Sequence, residues 1–262
     1  KYYGGFMGFL TGKKALIVGV ASNRSIAWGI AESMAANGCE LAFTYQTEKL
    51  KGRVEKCAEI CNSSIVIPCD VSSDEQINET FDELKKSWDS FDILIHSVAF
   101  AERAELDGNY LEVTTREGFL KAHEISSYSF TALAKSAMPM LNENGALLTL
   151  SYLGALRAIP NYNVMGIAKA SLEANVRYMA AAMGAEKGIR VNAVMPGAIQ
   201  TEGELRDFPD QEKISRILNE KQCLPGRIKP EHIEPTFAFL AGSSSDPITG
   251  QTINVDHGWC FW

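Results

Sequence analysis

The chain has no apolar run that approaches the roughly 20 residues a helix needs to cross a bilayer. Gly, Ser or a charged residue interrupts each hydrophobic stretch first, so no membrane-spanning helix is expected. Positive charge is also short: 25 lysines and arginines stand against 32 acidic residues, a formal charge of -7. Such a surface offers no broad cationic field for a phosphodiester backbone, and nucleic acid is not an expected partner. Histidine is sparse and dispersed (His96, His123, His232, His257), and Cys57-x3-Cys61 has no nearby histidine pair to complete a zinc site, so no metal is expected. The six cysteines, Cys39, Cys57, Cys61, Cys69, Cys223 and Cys260, sit in a chain long enough to fold without covalent staples, and no secretory leader pattern precedes them. Free thiols in a reducing, cytoplasmic compartment are the expectation.

What is present is a regular alternation. With 262 residues, 46% of them hydrophobic, the chain can bury one substantial core, and open α/β units of this size are commonly one domain. Residues 1–12 have no periodicity and read as a lead-in. Short apolar runs at 13–18, 41–45, 65–70, 91–96, 146–150, 189–194 and 252–255 read as strands, and helical spacing follows Gly19 and recurs at 49–61, 75–88, 124–140 and 163–184. Strands that are apolar throughout and separated by helices call for a parallel sheet covered on both faces. The expected fold is therefore α/β, a Rossmann-type doubly wound parallel sheet in a single domain over 13–262. Residues 100–120 and 195–226 break the rhythm just after strand ends, where pocket walls form in such sheets. The second stretch is expected to be a mobile substrate-covering segment.

The first strand-to-helix turn reads Gly19-Val20-Ala21-Ser22-Asn23-Arg24-Ser25-Ile26-Ala27-Trp28-Gly29. It lacks the close-packed glycine fingerprint, yet its small residues allow a phosphate to approach backbone N–H groups at a helix N-terminus. Tyr45-Gln46 follows the second strand, where an adenosine ribose would lie, and Asp70-Val71 ends the third. Gln46 in place of a carboxylate binds a ribose diol without strongly repelling a 2′-phosphate, and Arg24, Lys49 and Lys51 are near in sequence. NAD(H) is the expected cofactor, with NADP(H) the alternative.

The richest segment runs from Ser151 to Lys169. Tyr162 and Lys169 lie seven residues apart, almost two helical turns, and so share a face. An ammonium there can bind ribose hydroxyls and favour the tyrosinate through its field, while the phenol can donate to a substrate oxygen. Hydride transfer needs no protein nucleophile, so this pair and a positioned nicotinamide suffice in outline.

On these motifs the chain resembles the bacterial NADH-linked enoyl-[acyl-carrier-protein] reductases of the short-chain dehydrogenase/reductase superfamily. The resemblance rests on Met7 to Lys14, the variant turn from Gly19 to Ala27, Leu41 to Gln46, His96-Ser97-Val98-Ala99-Phe100, Val113 to Phe119 and the Ser151 to Lys169 block. It implies that Tyr152 and Tyr162 face the thioester, with Ala101 beside them, and that Tyr162 meets the carbonyl oxygen. It implies that Lys169 holds the nicotinamide ribose, and that Gly19, Ala21, Ser25, Ile26, Gln46, Asp70, Val71, Ala99, Ile199 and Thr201 line the cofactor site. The reaction it implies is hydride delivery to the β-carbon of a trans-2-enoyl thioester in fatty acid elongation. An acyl-carrier protein as substrate carrier and a homotetramer are the implied partners; Arg206, Lys213, Arg216, Lys221, Arg227 and Lys229 are candidates for the carrier's docking patch.

Two segments depart from that pattern. Met195-Pro196-Gly197-Ala198-Ile199-Gln200-Thr201 and the tail from Pro247 to Trp259 resemble carbonyl-reducing members of the superfamily, and Glu202 and Glu204 put charge where an acyl lid is usually apolar. A 3-oxoacyl or hydroxysteroid-type reductase therefore stays open, although such enzymes have serine where this chain has Thr149. So does a dinucleotide-binding regulatory protein without turnover. His257 stands where the fold often has glycine.

Overall fold

The computed structural model describes residues 8–199 and 211–261. Seven strands form one parallel sheet in the order β3-β2-β1-β4-β5-β6-β7. They are β1 (Lys14–Val18), β2 (Glu40–Tyr45), β3 (Val66–Pro68), β4 (Phe91–His96), β5 (Leu141–Leu150), β6 (Arg190–Pro196) and β7 (Thr252–Val255). The switch in winding direction falls between β1 and β4, which places a crevice at their carboxyl ends.

Alternation along each strand divides the core. Leu16 and Val18 face one layer with Phe81, Phe130 and Leu172, and Ala15 and Ile17 face the other with Met34, Phe43 and Phe237. Helices α1 (Ile26–Ala36), α2 (Glu48–Ile60), α3 (Asp74–Leu84) and α8 (Asn163–Lys187) follow the sequence reading closely. Gly188, at φ 67°, ends α8 in the left-handed conformation that glycine adopts freely.

The region from 100 to 140 differs from expectation. Residues 100–120 contain two short helices, α4 (Arg103–Leu106) and α5 (Tyr110–Val113), and the start of α6 (Arg116–His123). Thr115 caps α6 through its side chain. A π-helical turn, Glu124–Tyr128, joins α6 to α7 (Ser129–Ala137), so the helix expected at 124–140 begins eight residues earlier and is interrupted by one wide turn. Within the 195–226 stretch, α9 (Gln211–Lys221) is helical; residues 200–210 lie outside the described residues. Helix α10 (Pro230–Ala241) has no counterpart in the strand-and-helix reading. Pro230 begins it at a position where a missing N–H costs nothing, but Pro235 lies inside and masks its periodicity. His257 sits at φ 55°, and its carbonyl accepts from Cys223 N at 2.7 Å and Leu224 N at 3.2 Å. The turn needs the left-handed region, and histidine tolerates it better than bulky β-branched residues.

Candidate active site

The crevice at the carboxyl ends of β1, β2, β3 and β4 is a cavity of about 430 Å³. Six of the residues expected at the cofactor line it: Gly19, Ala21, Gln46, Asp70, Val71 and Ala99. Its floor fits a dinucleotide because it has no room for side chains. Gly19 is at φ 117°, and a Cβ there would stand 2.1 Å from the Ser97 carbonyl oxygen. The backbone is thus bare where a pyrophosphate must approach. Beyond it, Ser25 precedes α1 without capping it through its side chain, and the first turn holds no acidic residue, leaving amide donors and the positive helix end for an anion.

The adenosine end is defined by Gln46 and Asp70. Asp70 Oδ1 accepts from Ser72 N at 3.0 Å and Ser72 Oγ at 2.8 Å. Lys51 is 5.8 Å from the centre of the Tyr45 ring, and neither it nor Arg24 or Lys49 lines the cavity. Lys121 is the one cation among the described lining residues; it donates to Glu102 at 2.6 Å and lies over the Phe100 ring.

Ser25, Ile26, Lys169 and Ile199 are not in that cavity wall, and neither are Ala101, Tyr152 and Tyr162. Ser25 Oγ donates to Ser22 O at 2.7 Å and shapes the turn. Ile26 and Ile199 pack together with Ile228, Leu150 and Val255, and Ile199 bridges to Ile228. This apolar cluster borders the carboxyl ends of β5 and β7, continuing the line of the crevice. Thr201, Glu202, Glu204 and Arg206, and the side chain of Lys213, lie outside the described residues.

Tyr162 precedes the first turn of α8, and Lys169 lies two turns along it. Lys169 is only 5% exposed, and its Nζ donates to the Leu150 carbonyl at 2.7 Å, tying α8 to the end of β5. Burial pushes its pKa down to about 8, against the opposing charge of Glu173. Tyr162 and Tyr152 lie with ring centroids 4.8 Å apart, and Ala101 packs with Tyr162 beside Val164 and Met165. Gly154 and Gly166 leave the space for the Tyr162 ring: a Cβ on Gly154 would meet it at 2.3 Å. Burial and the neighbouring Tyr152 phenol raise the Tyr162 pKa well above the usual phenol value. The Lys169 ammonium is turned to the Leu150 carbonyl, and Tyr162 stays a neutral hydrogen-bond donor.

Several residues of the site carry no signal in spacing. Thr149 is fully buried, and its Oγ1 is 2.7 Å from His96 Nδ1, while His96 Nε2 is 2.8 Å from Ser129 Oγ. Ser129 Oγ in turn donates to Ile125 O at 2.6 Å. Burial pushes the His96 pKa down to about 3, so the imidazole is neutral. The Thr149 hydroxyl is therefore engaged inside the protein. From the π-helical turn just before Ser129, Ser126 Oγ accepts from Phe100 N at 2.9 Å and donates to Phe100 O at 3.1 Å, fixing the segment after Ala99. Such turns recur at functional sites. Trp259 reaches the other side of Tyr152, ring centroids 6.5 Å apart, and Arg157 holds the Cys260 carbonyl at 2.5 Å.

A doubly wound parallel sheet with a crevice at its winding switch, and a Tyr–Lys pair after the fifth strand, defines a nicotinamide-dependent oxidoreductase of the short-chain type. Comparison with known proteins narrows the class. A family model described as enoyl-(acyl carrier protein) reductase matches residues 19–260. The enoyl-[acyl-carrier-protein] reductase [NADH] of Salmonella typhimurium is 53% identical over 255 residues, covering 97% of this chain and 96% of that protein. Among solved structures, the enoyl-(acyl-carrier-protein) reductase of Anaplasma phagocytophilum in complex with NAD superposes with a TM-score of 0.89 at 37% identity, covering 97% of this chain and 94% of that one. That of Bacillus cereus with NADP+ and indole naphthyridinone gives 0.92 at 41% identity, covering 98% and 99%. The chain belongs to the enoyl-(acyl carrier protein) reductase family.

Proposed function

We propose that this protein reduces trans-2-enoyl-acyl-carrier-protein thioesters to saturated acyl thioesters with NADH, in fatty acid elongation. The observation that carries the reading is the pairing of the Tyr152 and Tyr162 rings, together with a buried Lys169 on α8 tied to the end of β5. Bound NADH supplies the hydride to the substrate β-carbon. Gly19, Ala21 and the start of α1 receive the pyrophosphate, Gln46 the adenosine ribose, Asp70 and Val71 the adenine edge, and Lys169 the nicotinamide ribose. Tyr162, a neutral phenol, donates a hydrogen bond to the thioester oxygen as negative charge develops there, and the fixed donor lowers the barrier because it needs no reorganisation. Tyr152 and Ala101 close the thioester end of the pocket, and the α-carbon takes up the proton that completes the reduction.

With Thr149 bonded to His96, no hydroxyl is offered at the position where carbonyl-reducing relatives carry serine. This supports an enoyl over a 3-oxoacyl substrate. Gln46 at the ribose and the absence of Arg24, Lys49 and Lys51 from the cavity wall support NADH over NADPH. Carrier docking through Arg216, Lys221 and Lys229, all exposed, together with a homotetramer and a cytoplasmic setting, completes the proposal. Among the described residues no helix is long and apolar enough to cross a membrane. The test is steady-state NADH consumption with crotonyl thioester, with acetoacetyl thioester and without acceptor. Consumption with the first alone is expected; consumption with the second alone assigns a carbonyl reductase, and consumption with neither a binding protein without turnover.

A further inference from the structure

Two successive residues at the end of β5 hold two successive turns of α8. The Leu150 carbonyl takes the Lys169 ammonium at 2.7 Å, and Ser151 Oγ donates to Glu173 Oε1 at 2.5 Å. Lys169 and Glu173 are four residues apart, so their side chains stack on one helical face. Ser151, Lys169 and Glu173 are all buried. Burial raises the Glu173 pKa, and the Ser151 hydroxyl, Arg177 one turn after and Lys169 one turn before act against that rise and favour the carboxylate.

We propose that Glu173 is a positioning residue for Lys169: held by Ser151, its carboxylate is the buried counter-charge that keeps the ammonium charged and fixed at the Leu150 carbonyl. The inference rests on the reading that Lys169 serves the nicotinamide end of the site. The titratable groups that act on the pair add no negative charge near neutrality: His96 from β4 is neutral, burial keeps Tyr162 a phenol, and Arg177 bears on Glu173 as a cation. Burial lowers the Lys169 pKa to about 8 and Glu173 opposes that fall. Without the carboxylate, the ammonium loses its proton at lower pH.

The experiment is an NMR titration of ε-13C-lysine protein without cofactor, with the Lys169 signal assigned by its loss in Lys169→Arg, alongside the pH profile of turnover. In Glu173→Gln, which keeps shape and an acceptor for Ser151, the Lys169 midpoint is expected to fall by about one to two pH units. The alkaline limb of turnover should move with it, and Glu173→Asp should return most of the shift. A midpoint in Glu173→Gln equal to the parent's overturns the proposal. A midpoint that moves while the turnover profile stays put upholds the coupling and instead removes the charge of Lys169 from the reaction. Should Glu173→Gln fail to fold, Ser151→Ala releases the carboxylate and is expected to lower the midpoint in the same direction by a smaller amount. An unmoved midpoint there overturns the positioning role.

Discussion

Replacing Gly19 by alanine tests the bare backbone of the crevice. The residue sits at φ 117°, and the added methyl would lie 2.1 Å from the Ser97 oxygen and 2.7 Å from its carbonyl carbon. Both obstacles are backbone, so no side chain can rotate away. Val18 and His96 are partners in the β1–β4 register, and Ser97 N donates to Val18 O at 2.9 Å. Relief therefore requires about an ångström of separation between the carboxyl ends of β1 and β4. The unfavourable φ costs about 1–2 kcal/mol, and the strained Ser97–Val18 bond about 1 kcal/mol more. The sum, about 2–3 kcal/mol, corresponds to a fall in Tm of roughly 5–10 °C for a domain of this size. Because Ser97, Val98 and Ala99 also line the cavity, NADH affinity should fall at least about tenfold. Thermal unfolding by circular dichroism and NADH titration by fluorescence measure the two effects. Parent-like values for both would refute the argument that this turn admits no side chain.

Other perturbations separate the roles of neighbouring groups. Tyr162→Phe should lower turnover by about 10²–10³-fold with little change in NADH affinity, whereas Lys169→Ala should impair both; unchanged turnover in the first removes the proposed donor. Thr149→Val should destabilise the fold by about 1–3 kcal/mol by leaving His96 Nδ1 unpaired, yet keep turnover within about threefold of the parent. A collapse of turnover at unchanged stability would show that the hydroxyl acts on substrate. His96 also makes a pH prediction. Its folded pKa is depressed from 6.5 to about 3, so the unfolded chain binds the extra proton between those values. Its contribution to stability is intact above about pH 6.5 and is lost at up to about 1.4 kcal/mol per pH unit as pH falls toward 3. Urea unfolding of the parent and His96→Asn at pH 5 and 7 measures it; equal pH dependence in the two proteins would contradict it.

The parts of this site legible in the sequence are those encoded by local spacing. Gly19, Gln46 and Asp70 each follow an apolar strand, so the doubly wound topology alone brings them to one crevice. Tyr162 and Lys169 are joined by helical period. What escaped depends on long-range contact. His96, Ser129 and Thr149 come from β4, the start of α7 and β5, and no one-dimensional pattern predicts that a widened turn will aim Ser126 within it and Ser129 just after it at one strand end. Ile26 and Ile199 belong to one cluster only because the segment after β6 folds back to meet Ile228. Helix α10 was hidden by Pro235, which breaks the local signal while packing of Ile233, Phe237 and Leu240 retains the helix. Spacing places Lys169 on the right face, but only the fold shows that the residue is buried and that its ammonium is tied to the Leu150 carbonyl.

The central claim is that hydride goes to the β-carbon of an enoyl thioester. It is tested most directly by supplying NADH deuterated at C4 together with crotonyl-carrier thioester and acetoacetyl-carrier thioester, and locating the label by mass spectrometry and NMR. The account predicts butyryl thioester with deuterium on C3 and no labelled hydroxyacyl product. Deuterium on the carbinol carbon of a 3-hydroxybutyryl thioester, with the enoyl substrate returned unlabelled, would contradict it.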